Sequence, residues 1–134
     1  MRKLLFLLIL SVPFFVFAND NLHETCRRAF PNGSEVRERS ACIETQSSTD
    51  AIRSCAGSFH GGADDELRLE CIKINPSPEV VMICDDAFPH GSQTKERLVC
   101  IMIQPPLELV KTCSDTYPHG SQTIYRLSCI QVGL

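Results

Sequence analysis

No basic block, no interleaving of aromatic with basic residues and no strand-like alternation of apolar and polar positions occurs in this chain of 134 residues. The first two absences, with a formal net charge of −3, argue against nucleic acid or an anionic membrane as partner. The third removes the pattern that half-buried strands require. Catalytic signatures are missing as well. There is no Gly-x-Ser-x-Gly, no His-Glu-x-x-His and no phosphate-cradling glycine loop, so an enzyme has no foothold and no cofactor is expected. Cys-x-x-Cys and Cys-x-x-Cys-His are also absent, which argues against redox exchange and haem attachment.

What is present begins with export. Met1-Arg2-Lys3 precedes an apolar run from Leu4 to Phe17 that is broken only by Ser11 and Pro13. A short basic head, an apolar stretch of that length and a small residue at its end describe a secretory signal peptide over residues 1–18, cleaved after Ala18. A bilayer span needs about 20 apolar residues, and polar Asn19-Asp20-Asn21 follows this run at once. Cleavage removes Arg2 and Lys3 and takes the net charge from −3 to −5. The expected product is a secreted or periplasmic domain over residues 19–134 without a membrane anchor.

All eight cysteines lie in that domain: Cys26, Cys42, Cys55, Cys71, Cys84, Cys100, Cys113 and Cys129. Their spacings alternate between 16 and 13, a period of 29. Fixed self-similarity of this kind marks a repeat architecture. Other positions keep the period: Phe30, Phe59, Phe88 and Tyr117; Gly33, Gly62, Gly91 and Gly120; Arg39, Arg68, Arg97 and Arg126; Ile43, Ile72, Ile101 and Ile130. Between Cys84–Ile101 and Cys113–Ile130, 12 of 18 aligned positions are identical, which requires duplication. Four units result, over residues 19–47, 48–76, 77–105 and 106–134.

Each unit reads as two short helices. The first starts near Asn19, Ser48, Ser77 or Pro106, with Pro78 placed at a first helical position where its missing N–H costs nothing. Acidic Asp50, Glu79 and Glu108 fall in the first turn, where the helix dipole favours them. The Phe-Pro-His-Gly-Ser segment then breaks the helix, its glycine supplying any positive φ and Ser34, Ser92 or Ser121 capping the second helix. The fold class expected is all-α: tandem helical hairpins as a small α-solenoid or a compact helical array. Stacked hairpins would bury Phe30, Phe59, Phe88 and Tyr117 with the leucine and isoleucine positions in one core.

An even cysteine count in a small exported chain reads as a disulfide framework. Pairing across the 16-residue gaps closes every hairpin and uses every cysteine; pairing across the 13-residue gaps strands Cys26 and Cys129. The first scheme is preferred, although spacing alone does not fix connectivity. The plan resembles that of cysteine-rich Sel1-like repeat solenoids, in which each helical hairpin carries a disulfide. Those units are longer and richer in Gly-Ala packing positions, so the resemblance implies architecture only.

Two residue sets are candidates for binding. Arg39, Arg68, Arg97 and Arg126 would form a ladder in stacked repeats, able to hold carboxylates or phosphates bidentately. The competing reading, which we favour, is that each arginine ties its two helices together, for instance through Asp86 or Asp115. His90 and His119 occupy identical Pro-His-Gly-Ser-Gln-Thr loops. No ligand-spacing motif accompanies them, so no metal site is expected. The acidic triplet Asp64-Asp65-Glu66 lacks the alternating ligands of a calcium loop and reads as a solvated helix N-terminus. The function expected is a non-enzymatic interaction scaffold whose partner is another protein. The alternative is an exported protein that binds a small ligand or metal through the loop histidines and the arginine row.

Overall fold

Ser48 and Ser77 each place a side-chain oxygen at the start of a helix, accepting the N–H of Ala51 at 3.1 Å and of Val80 at 3.3 Å. Such caps satisfy donors that the first helical turn otherwise leaves unpaired. In the computed structural model, which describes residues 17–133, these caps open two of eight helices. In chain order they are α1 (Phe17–Ala29), α2 (Val36–Glu44), α3 (Thr49–Ser58), α4 (Asp65–Ile74), α5 (Pro78–Ala87), α6 (Thr94–Ile103), α7 (Leu107–Thr116) and α8 (Thr123–Val132). Helix α7 starts after Pro106, as expected. Asn19 lies within α1 and not at its start, since Phe17 and Ala18 already have helical backbone. The signal-peptide segment otherwise lies outside the described residues. No described helix is long and apolar enough to cross a membrane.

The helices pair as four hairpins, each closed by one disulfide: Cys26–Cys42, Cys55–Cys71, Cys84–Cys100 and Cys113–Cys129, every pair 16 residues apart. Hairpins stack in order. One row is α1, α3, α5 and α7; the other is α2, α4, α6 and α8, and every substantial contact joins helices of one hairpin or of neighbouring hairpins. The result is a two-row, quasi-one-dimensional array in which each unit, beyond its own disulfide and helix pairing, packs on its immediate neighbours. Phe30, Phe59 and Phe88 are fully buried between hairpins, beside Ile52, Ile72, Ile101 and Ile130. Tyr117 departs from the expected core. It is only half-buried and stacks on Tyr125 at 6.0 Å, because no hairpin packs beyond it among the described residues.

Two local expectations are corrected. Ser34, Ser92 and Ser121 do not cap the second helices. A turn of 3-10 helix (Gly62–Asp64, Gly91–Gln93 or Gly120–Gln122) precedes α4, α6 and α8, and it closes on backbone bonds such as Gln93 N–H to His90 O at 2.9 Å. The residue at the end of the turn then reaches back. Gln93 and Gln122 accept the N–H of His90 and His119 at 3.3 and 3.2 Å, and the α2, α6 and α8 starts carry no side-chain cap. Nor do the loop glycines supply positive φ. That conformation falls on Gln46, Asn75 and Gln104 at φ of 54°, 53° and 52°, where each second helix ends left-handed before the next unit.

Candidate functional site at the loop edge

The arginines meet the loops from below, and they bond in two directions. Arg68 Nε donates to Phe59 O of its own hairpin at 2.6 Å, and Nη1 donates to Ala29 O of the preceding hairpin at 2.8 Å. Arg97 repeats this with Phe88 O at 3.0 Å and with Ser58 O; Arg126 repeats it with Tyr117 O at 2.9 Å and with Ala87 O. Each guanidinium also lies over a phenylalanine of the preceding hairpin, 5.2 Å from Phe30, 5.6 Å from Phe59 and 5.7 Å from Phe88. These carbonyls lie at helix C-termini, where a cation is favoured. Three arginines therefore stitch hairpin to hairpin. Arg39 is half-exposed and, among the described residues, bonds only within its own loop, to Phe30 O at 2.8 Å and Asn32 O at 3.1 Å.

The tie is not made through Asp86 or Asp115. Both are exposed and neither forms an ion pair among the described residues. The acid that reaches Arg97 is Asp85, at 3.1 Å, whose Oδ1 also accepts the Ser58 hydroxyl at 3.0 Å. Arg68 has two carboxylates, Asp65 at 3.1 Å and the buried Glu35 of the preceding hairpin at 3.9 Å. Asp65 is thus no solvated helix terminus; its side chain is only 25% exposed.

Burial alone would raise the Glu35 carboxyl. The Asn32 backbone N–H and amide, Asp65 and the Arg68 charge together hold it below the ordinary carboxylate range. Asp65 is pushed the other way, first by burial and then by the Glu35 charge. A carboxyl lowered in the folded state stabilises the fold above its unfolded pKa and loses that contribution as the pH falls through the folded value. For a raised carboxyl the folded state favours the neutral form, so its contribution is present at low pH and lost as the pH rises. Glu35→Gln should therefore flatten the loss of stability below about pH 4, and relieve Asp65 of its like-charge neighbour. Urea denaturation between about pH 3 and pH 6 reads the change, and an unaltered pH profile would contradict it.

Above the arginines two equivalent clefts open along the loop edge. The cleft between the first and second hairpins, about 240 Å³, is lined by Arg28, Pro31, Glu35, His60, Gly62 and Arg68 among others. The cleft between the third and fourth, about 190 Å³, is lined by Asp86, Pro89, His90, Gln93, Gly120 and Arg126 among others. His90 stands exposed on the rim of the second cleft. The exposed His119 contributes its carbonyl, which accepts from Arg126 at 3.3 Å. No three His, Cys, Asp or Glu converge among the described residues. A further cleft of about 310 Å³ beside α2 is walled by Arg37, Glu38, Ser40, Ala41, Glu44 and Leu69, none of them buried.

No family model, no curated protein and no solved structure matches this chain. The residues themselves carry the functional argument.

The arginines and His90 stand out in the sequence, whereas Glu35 and Asp85 do not and Asp65 reads there as a solvated helix start; these three acids balance Arg68 and Arg97. The glycine reading also changes. Gly33, Gly62, Gly91 and Gly120 have no positive φ, and a Cβ built on each meets nothing within 4 Å. The fold does not need glycine there. Gly91→Ala is expected to leave the fold intact and to stabilise it by about 0.4–1 kcal/mol through a less flexible unfolded chain. A thermal midpoint lowered by the substitution would contradict this.

Proposed function

We propose that the protein is an exported, non-enzymatic scaffold whose loop edge holds another protein. Four disulfides fit an oxidising compartment outside the cytosol. The observation that carries the reading is the glycine retained in all four loops although nothing in the fold occupies the space a side chain would fill. An open backbone edge beside rigid prolines is what a partner surface requires for close approach. The clefts between the loops add walls and buried charge to that edge, and stacked repeats commonly present such an extended surface.

The test is cross-linking of the oxidised protein in its native compartment, with Gly91→Tyr and Gly120→Tyr together against Lys73→Tyr and Lys111→Tyr on the exposed helix faces. The reading expects the loop pair to abolish one specific cross-linked species while the helix-face pair preserves it, with helicity unchanged in both. Equal cross-linking by both pairs would contradict it.

A further inference from the structure

We infer that the cleft between the third and fourth hairpins binds a carboxylate, received by the Arg126 guanidinium. This rests on the scaffold reading for the surface involved, while its chemistry rests on the charges of the array.

The comparison between junctions is direct. Arg68 is balanced by Glu35 and Asp65, and Arg97 by Asp85. Arg126 has no carboxylate within ion-pair distance among the described residues, although only 5% of it is exposed. All three balancing positions have become neutral at its junction. One or two periods on, Glu35 is replaced by Gln93, Asp65 by Thr123 and Asp85 by Ser114. A buried cation without a counter-charge is costly, and burial pushes the Arg126 guanidinium below its ordinary range. Its bonds to Ala87 O, Tyr117 O and His119 O satisfy hydrogens but bring no net negative charge. Nη1 makes a single bond among the described residues, which leaves its second N–H for a ligand oxygen.

The first cleft shows what the second accepts. There the protein's own Glu35 carboxylate lines the cleft, with Oε2 taking the Asn32 N–H at 2.7 Å. In the second cleft Gln93 takes the corresponding His90 N–H and turns its amide nitrogen to the Thr123 hydroxyl. No carboxylate among the described residues pairs with the arginine, and the cleft over it is open. Asp86 on the rim lies beyond ion-pair reach of Arg126. Its charge disfavours a dianion more than a monoanion, and the Glu35 carboxylate at the corresponding place in the first cleft makes a carboxylate the ligand class. The source is either an acidic side chain of a protein partner or a free small acid.

The experiment is an NMR titration of the oxidised protein, following the Arg126 Nε–Hε signal. The probes are an acetyl-Gly-Glu-Gly-amide peptide, its Gln counterpart, acetate and inorganic phosphate. The decisive variant is Gln93→Glu, which supplies the carboxylate from within while keeping the acceptor for His90. The expected result is a saturable shift with the Glu peptide, none with the Gln peptide, and affinity about tenfold or more weaker in Gln93→Glu, that is about 1.4 kcal/mol or more. Gln93→Glu should also raise the thermal midpoint. Saturation by acetate to the same end point identifies a free acid as sufficient; a requirement for the peptide identifies a partner side chain. An Arg126 signal unmoved by either carboxylate, or moved equally in wild type and Gln93→Glu, overturns the inference. If Arg126 titrates while the loop-edge glycine pair leaves cross-linking unchanged, the carboxylate site stands and the scaffold reading falls.

Discussion

Arg97→Ala is expected to destabilise the array by about 3 kcal/mol, because it strands two buried carbonyls whose desolvation costs about 1–3 kcal/mol each. Those acceptors are Phe88 O in its own hairpin and Ser58 O in the preceding one. The Phe59 ring also loses the cation over its face. Arg39→Ala is the matched control. Its guanidinium is half-exposed and its acceptors lie in its own loop, so water replaces what is lost and the cost stays below about 1 kcal/mol. Lysine at position 97 should recover only part of the difference, since an ammonium cannot span the two carbonyls as a planar fork does. Urea denaturation of the three variants measures all of this. Equal, small effects at positions 39 and 97 would mean that the arginine row does not join the hairpins.

The second large effect belongs to the staples. Replacing Cys84 and Cys100 together by alanine should cost about 3 kcal/mol, the chain-entropy value for a loop of this size. The two cysteines sit fully buried in the third hairpin, so cavity formation adds to the loss. Position in the array then matters. Removing Cys113 and Cys129 should loosen only the last hairpin, because a one-dimensional array transmits stability through nearest neighbours. Removing the interior pair should separate the second hairpin from the fourth. Hydrogen exchange resolves the two patterns: protection lost from α7 and α8 alone in one case, and across α5 to α8 in the other. Uniform loss in both variants would contradict the nearest-neighbour description.

How far these features are legible in the sequence depends on their range. The all-α class and the caps at Ser48 and Ser77 follow from spacing and local backbone chemistry, the spacing favours the 16-residue disulfide pairing without fixing it, and the structure has each of them. The serines of the third and fourth hairpin loops misled, because Ser92 and Ser121 look like caps until the 3-10 turn brings Gln93 and Gln122 back to the N–H of His90 and His119. The glycines misled for a related reason. Gln46, Asn75 and Gln104 carry the left-handed residue, and a polar residue at the unit boundary was the available signal for Asn75 and Gln104, each standing before proline.

The bond from Arg68, Arg97 and Arg126 to a carbonyl 39 residues earlier is not legible locally. It exists only once hairpins stack, and nothing within one unit specifies it. The charge balance around it was accessible in principle. Aligning the four units column by column shows Glu35 against Gln93 and Asp85 against Ser114, but the columns acquire meaning only when the structure places them beside an arginine.

The most direct test of the account is a non-reducing peptide map of the oxidised protein by mass spectrometry. Everything above depends on hairpins closed one by one, so that arginines and loops recur in register. Four linked peptides are expected, joining Cys26 to Cys42, Cys55 to Cys71, Cys84 to Cys100 and Cys113 to Cys129. Free thiols, or links from Cys42 to Cys55, Cys71 to Cys84 and Cys100 to Cys113, would contradict this pairing.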